Sequence, residues 1–281
     1  MEHNTGFFTG VRNKQIFHQA WLPDDRPKGV IFLVHGLGEH SGRYMTVVNR
    51  VVPLGWAVYA LDHIGHGRSE GMREYVKSFS DLTGNLHRFL DMVEAWMSGV
   101  PVFLLGHSMG GLVSTAFLLE RQKDFIGAVL SAPLIKPPEK VSPFILRIGK
   151  ILSALLPFIR ITGHEIEGIS RDRGVLEAYK NDPLVYKGKL TARLGAELVD
   201  RMEYVLEKAD KITLPLLILQ GSADRVVDKE GASLLFEAAG SEDKTLKIYD
   251  GYYHELFNDL DFERVLDDLS AWLEARLKKG K

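Results

Sequence analysis

Apolar and polar positions fall along this chain in two rhythms. Residues 7–21 (FFTGVRNKQIFHQAW) alternate loosely and predict a hairpin. Short all-apolar runs follow at 30–34 (VIFLV), 57–61 (AVYAL), 102–105 (VFLL), 127–130 (GAVL) and 216–219 (LLIL), with a further strand-like run at 245–249 (TLKIY). A run of this length without a polar face suits a strand covered on both sides. Helical patterns lie between most of them, at Arg43–Leu54, Ser80–Met97, Gly110–Arg121, Lys229–Ala239 and Phe262–Lys278. In the last, Val265, Leu266, Leu269, Trp272, Leu273 and Leu277 form one apolar stripe. The alternation predicts an α/β fold whose mostly parallel central sheet is flanked by helices.

Between Leu130 and Pro215 the strand rhythm stops, and helical segments rich in Leu, Ile and Phe take over. We read 134–208 as a helical cap inserted into a core made of 1–133 and 209–281. Within it, Ile145, Ile148, Leu152, Leu155 and Ile159 stand at helical spacing while Arg147 and Lys150 interrupt the apolar surface. Such a helix either rests in a membrane interface or packs on the core. Arg147, Lys150, Pro157 and Arg160 break the stretch well short of the roughly 20 apolar residues that a membrane span needs.

Composition narrows the chemistry. The 35 Lys and Arg balance 37 Asp and Glu, and no basic block is long enough to follow a phosphate backbone, so nucleic acid is not an expected partner. There is no cysteine, which removes disulfides, thiolate metal sites and cysteine nucleophiles. The first residues lack the basic start and apolar centre of a cleaved export signal, and the expectation is a cytoplasmic protein, peripheral to membrane at most.

The apolar run at 102–105 leads into Gly106-His107-Ser108-Met109-Gly110 and then a second apolar run. This is the strand, elbow and helix that present a nucleophilic serine, with glycines where a Cβ would collide with strand or helix. A serine hydroxyl needs a base, and the base needs an anion to fix its tautomer. On folds of this kind the partners follow in the order serine, acid, histidine, each after a late strand. Asp224, after LLILQ, and His254, after TLKIY, stand in those places. Asp228 is a rival acid that reads better as a helix N-cap, and Asp62 precedes the serine and reads as a brace for its own loop. The tetrahedral oxyanion needs two backbone amides: Met109, after the serine, and one from His35-Gly36-Leu37-Gly38, where Leu37 is our choice. The pairs His35/His40 and His63/His66 invite a metal, but no carboxylate-histidine helix motif accompanies them.

With these residues in place the chain resembles the α/β-hydrolase superfamily, and within it the monoacylglycerol lipases of the serine lysophospholipase group. The blocks that carry the resemblance are HGLGEHSGRY at 35–44, LDHIGHGRSEG at 61–71, GHSMGG at 106–111, NDPL at 181–184, LLILQGSADRVVD at 216–228 and DKTLKIYDGYYHELFND at 243–259. The resemblance implies an α/β-hydrolase fold with a lid, a triad of Ser108, Asp224 and His254, oxyanion amides at Leu37 and Met109, a small lipid ester as substrate, and no cofactor. It also implies that Glu39 and Arg43, with Tyr179, shape the pocket for the glycerol end, although Glu39 and Arg43 can equally be an internal ion pair. Ile145, Ile148 and Leu152 would line an acyl tunnel. One departure stands out: where animal members carry a second histidine after the catalytic one, this chain has Phe257. A lysophospholipase, a general carboxylesterase and a non-catalytic lipid-binding protein are the rival readings.

Overall fold

The computed structural model describes residues 1–137, 152–163 and 165–279. The loosely alternating start forms a hairpin of β1 (Glu2–Thr9) and β2 (Gln15–Leu22). The apolar runs become β3 (Gly29–Val34), β4 (Trp56–Leu61), β5 (Val102–His107), β6 (Gly127–Ser131), β9 (Leu216–Gly221) and β10 (Lys244–Tyr249). They join in one eight-stranded sheet ordered β1-β2-β4-β3-β5-β6-β9-β10, antiparallel across β1, β2 and β4 and parallel from β4 onward.

Each central strand divides its side chains between two cores, as the period of two requires. Val30, Phe32 and Val34 of β3 face one apolar cluster, and Ile31 and Leu33 face the other. The first cluster takes in α2 (Ser80–Trp96), α3 (Met109–Arg121), α5 (Ala192–Lys208) and α6 (Glu230–Ala238); the second takes in α1 (Met45–Val51) and α7 (Phe262–Lys279). The stripe read from the sequence on α7, Val265 to Leu277, is buried in that second cluster.

The segment expected to be a helical cap also contains strands among its described residues. It holds α4 (Arg173–Asn181), whose first turn is capped by Asp172 accepting the Gly174 amide at 2.7 Å, and a small antiparallel pair, β7 (Arg160–Gly163) with β8 (Lys189–Thr191). The expected helical spacing through Ile159 does not hold, because the helix ends by Leu155 ahead of Pro157, which cannot continue it, and the chain then enters β7. Ile145 and Ile148 lie outside the described residues, and Leu152 is half-buried. Helix α5, within the same range, sends Leu194, Leu198, Met202 and Val205 into the cluster shared with α3. Among the described residues no helix is long and apolar enough to cross a membrane.

Candidate active site

Strand β5 runs into α3 through a single residue with unusual backbone angles. Ser108 has φ 54° and ψ −120°, a left-side conformation that a non-glycine residue adopts only when its surroundings impose it. Those surroundings are tight: a Cβ on Gly110 would fall on the carbonyl oxygens of Val34 and His35, and one on Gly106 would strike Ser114 and the Gly110 carbonyl. The Ser108 amide donates to the Ser131 carbonyl at 3.0 Å, and its own carbonyl accepts from Gly111, Leu112 and Leu134. The turn is thereby held from both sides.

The loops after β9 and β10 bring acid and imidazole together. His254 Nδ1 donates to Asp224 Oδ2 at 2.8 Å, and Gln220 Nε2 donates to the same oxygen at 2.9 Å. The other oxygen, Oδ1, accepts the Val226 and Val227 amides at 2.8 and 3.1 Å. Burial pushes the Asp224 carboxyl up, but His254 and these two amides outweigh it and hold the group below its usual range. Burial acts on His254 in the opposite sense and is again outweighed, by Asp224 first and then by Glu255 and Glu39, so the imidazole is raised above its usual value of 6.5. With Nδ1 committed to Asp224, Nε2 is the nitrogen left to exchange a proton. The ring of His107, the residue before Ser108, lies 4.8 Å from that of His254, which sets the histidine beside the elbow. Burial, with His254 alongside, pushes His107 down to about 4 and keeps it neutral.

The loop after β3 lies against the serine: a Cβ on Gly36 would stand 3.2 Å from the Ser108 Cβ. The Gly36 amide is held by Glu39 Oε1 at 2.6 Å, while the amides of Leu37 and Met109 meet no protein acceptor among the described residues. Glu39 and Arg43 do form an ion pair, with Arg43 Nε donating to Glu39 Oε2 at 3.2 Å. Arg43 Nη2 also reaches both oxygens of Glu255, at 2.7 and 2.6 Å, and its guanidinium stacks 4.5 Å from the centre of the Tyr179 ring on α4. Tyr44 donates to Glu39 Oε1 at 2.6 Å, and all of these side chains are buried.

Three other sequence readings find their places. Asp62 accepts the amide and hydroxyl of Ser41 and the amide of Arg68, bracing its loop. Asp228 accepts the Glu230 amide at 3.0 Å at the start of α6 and pairs with Lys136. His35 and His63 are joined through the His63 amide on His35 Nε2, and His40 Nε2 meets Asp182 of the NDPL block at 2.9 Å. Sequence reasoning missed Glu255. Its partner Arg43 is 212 positions away, and the only available signal was an acid beside a candidate catalytic histidine.

Residues 25–261 match the family model described as serine aminopeptidase, S33, of the Hydrolase_4 group. The chain is 37% identical to the monoacylglycerol lipase of Mycolicibacterium smegmatis, covering 96% of both chains. It is 39% identical to the human monoglyceride lipase over 93% of this chain and 87% of that one. The crystal structure of Paleococcus ferrophilus monoacylglycerol lipase superposes with a TM-score of 0.83 at 31% identity, covering 98% of this chain and all of that one. With the sheet order, the strained elbow and these relatives together, the chain belongs to the α/β-hydrolase superfamily, to its serine aminopeptidase S33 family, and within that to the monoacylglycerol lipase group.

Proposed function

We propose that the protein hydrolyses monoacylglycerols to a free fatty acid and glycerol, with Ser108, His254 and Asp224 as its triad. In this reading Ser108 Oγ attacks the ester carbonyl while His254 Nε2 takes its proton, and Asp224 keeps the tautomer and favours the imidazolium. The Leu37 and Met109 amides receive the oxyanion. His254 returns the proton to the departing glycerol oxygen. Water, deprotonated by the same imidazole, then attacks the acyl-enzyme; the imidazolium returns that proton to Ser108 Oγ as the fatty acid leaves, and no cofactor enters any step. The observation that carries the reading is the Asp224–His254 hydrogen bond set beside the strained Ser108 turn. The triad does not choose the alcohol half of the ester; the likeness to monoacylglycerol lipases along nearly the whole chain supports glycerol.

The cap supports a second element of the reading, transient contact with a lipid surface. Leu155, Leu156, Phe158, Ile159 and Ile161 are all exposed within one short stretch, a density of apolar surface that suits an interface rather than bulk water.

Two measurements test the proposal. A fluorophosphonate should label the wild type and leave Ser108→Ala untouched, with ester turnover in that variant down on the order of 10^5-fold or more. In a substrate panel, kcat/KM should be highest for monoacylglycerol among monoacylglycerol, lysophospholipid and short nitrophenyl esters. Residual turnover within about tenfold of wild type in Ser108→Ala would remove the serine from the mechanism, and a preference for lysophospholipid would move the substrate.

A further inference from the structure

The buried cluster around Arg43 joins three parts of the molecule that have no covalent reason to stay in register. Glu39 lies on the loop after β3 and holds the Gly36 amide at 2.6 Å, which leaves the neighbouring Leu37 amide as the free donor of that loop. Glu255 is the residue after His254, and its own amide donates to the Ile169 carbonyl of the cap at 2.7 Å. Arg43 holds both carboxylates with one guanidinium and covers Tyr179 of α4. A planar fork with several donors can make these contacts at once; an ammonium cannot.

The charges in the cluster do not cancel. Both Glu255 oxygens accept from Arg43 Nη2, and Oε2 also accepts from Asn258 Nδ2 at 3.0 Å; these donors favour the anion, against burial and the nearby Glu39, which together push the carboxyl above its usual range. Glu39 is likewise surrounded by donors: Gly36, Tyr44 and Arg43. Burial works against the Arg43 charge, but Glu255 and Glu39 outweigh it. Two carboxylates on one guanidinium leave a surplus negative charge next to the imidazole. The groups that face His254 are Asp224 from the loop after β9, His107 from the end of β5, Glu39 with Arg43 from the loop after β3, and Glu255 from its own loop. Arg225 sits one residue further out, over the Tyr253 ring.

We propose that Arg43 is a positioning residue that locks the oxyanion loop to the histidine loop through Glu39 and Glu255, and that the surplus negative charge of this bridge supports the His254 imidazolium. The inference rests on the triad reading above, and it differs from a direct contact between Arg43 and the glycerol of the substrate. A bridge that sets the machinery acts on every ester alike. A glycerol contact acts on glycerol esters alone.

Two conservative variants test it, each checked for folding by its melting temperature. Glu255→Gln keeps the shape and an acceptor for Arg43 but removes the surplus charge. The acid limb of its kcat/KM profile should move down by about half to one pH unit, on monoacylglycerol and on a short nitrophenyl ester alike. Arg43→Lys keeps the charge but loses the fork, so kcat should fall about tenfold or more on both esters with KM little changed and the acid limb in place. An unmoved limb in Glu255→Gln overturns the electrostatic part. A loss in Arg43→Lys confined to glycerol esters overturns the positioning part. The pH dependence of fluorophosphonate labelling reads the same imidazole without any substrate and serves if one variant is too unstable for turnover assays. Failure of the triad itself would look different, as absent labelling of wild-type Ser108.

Discussion

At His254, burial and charge pull against each other, and the charge prevails. A base must be neutral to accept the serine proton, so activity rises as pH passes upward through the imidazole pKa and is lost below it. Since that value is raised, the acid limb of kcat/KM should lie above 6.5, and a pH profile on a soluble ester measures it. Activity sustained well below pH 6.5 would argue against a raised histidine base. The two candidate acids separate cleanly at this scale. Asp224→Asn should cut kcat by about 10^4-fold, because the amide can no longer fix the tautomer or favour the cation. Asp228→Asn touches a helix start and Lys136, and should leave kcat within about twofold while lowering stability by about 1 kcal/mol. Equal losses in both would mean that the acid was wrongly chosen. The places of Ser108, Asp224 and His254 at strand ends were legible because β5 and β9 are announced by all-apolar runs and β10 by the strand-like TLKIY. Glu255 was not, since nothing local records a partner that only the folded chain brings near.

The elbow shows how an element can be fixed by what is missing. Gly110 leaves no room for a methyl group, because the obstacles are the main-chain oxygens of Val34 and His35, which cannot swing aside as a side chain would. Gly110→Ala should therefore destabilise by about 3 kcal/mol or more and disturb Ser108 together with the oxyanion loop, which departs from the same end of β3. Thermal unfolding and fluorophosphonate labelling check the two effects; a variant as stable and as reactive as wild type would show that the elbow has slack. The strands and flanking helices could be read in advance because a run buried on both faces and a stripe of period 3.6 are set by local spacing. The β7–β8 pair could not. Its strands are four and three residues long, separated by helix α4, and held by a pairing that no local pattern encodes. Pro157 was visible in the sequence, but the apolar spacing on either side of it outweighed the break it makes.

For the molecule as a whole, the described residues of the segment read as a cap are tied to the core on one side and exposed along another edge. Tyr186 donates its amide to the Gly38 carbonyl at 2.8 Å, His40 meets Asp182, and Arg171 Nε binds Asp259 at 2.9 Å. Asp259 in turn receives the Tyr253 amide at 2.7 Å, so the cap base and the histidine loop share one carboxylate. The edge at 155–161 is held through the Pro157 and Ile159 carbonyls, which accept from Arg193 and Ala192, and through Phe158 against Tyr75, yet it leaves apolar side chains in water: Leu155 is 73% exposed and Leu156 54%. Burying a leucine in lipid is worth about 1.5–3 kcal/mol, so two of them supply more than one decade of partitioning onto a membrane. Leu155→Ser with Leu156→Ser should then lower turnover of vesicle-borne monoacylglycerol by about tenfold or more. Exposed positions contribute little to stability, so the melting temperature and the rate on a soluble short-chain ester should stay near wild type. Parallel loss on both substrates with a lowered melting temperature would instead make this edge a packing surface. Unchanged activity on vesicles would leave delivery of the lipid to some other part of the molecule.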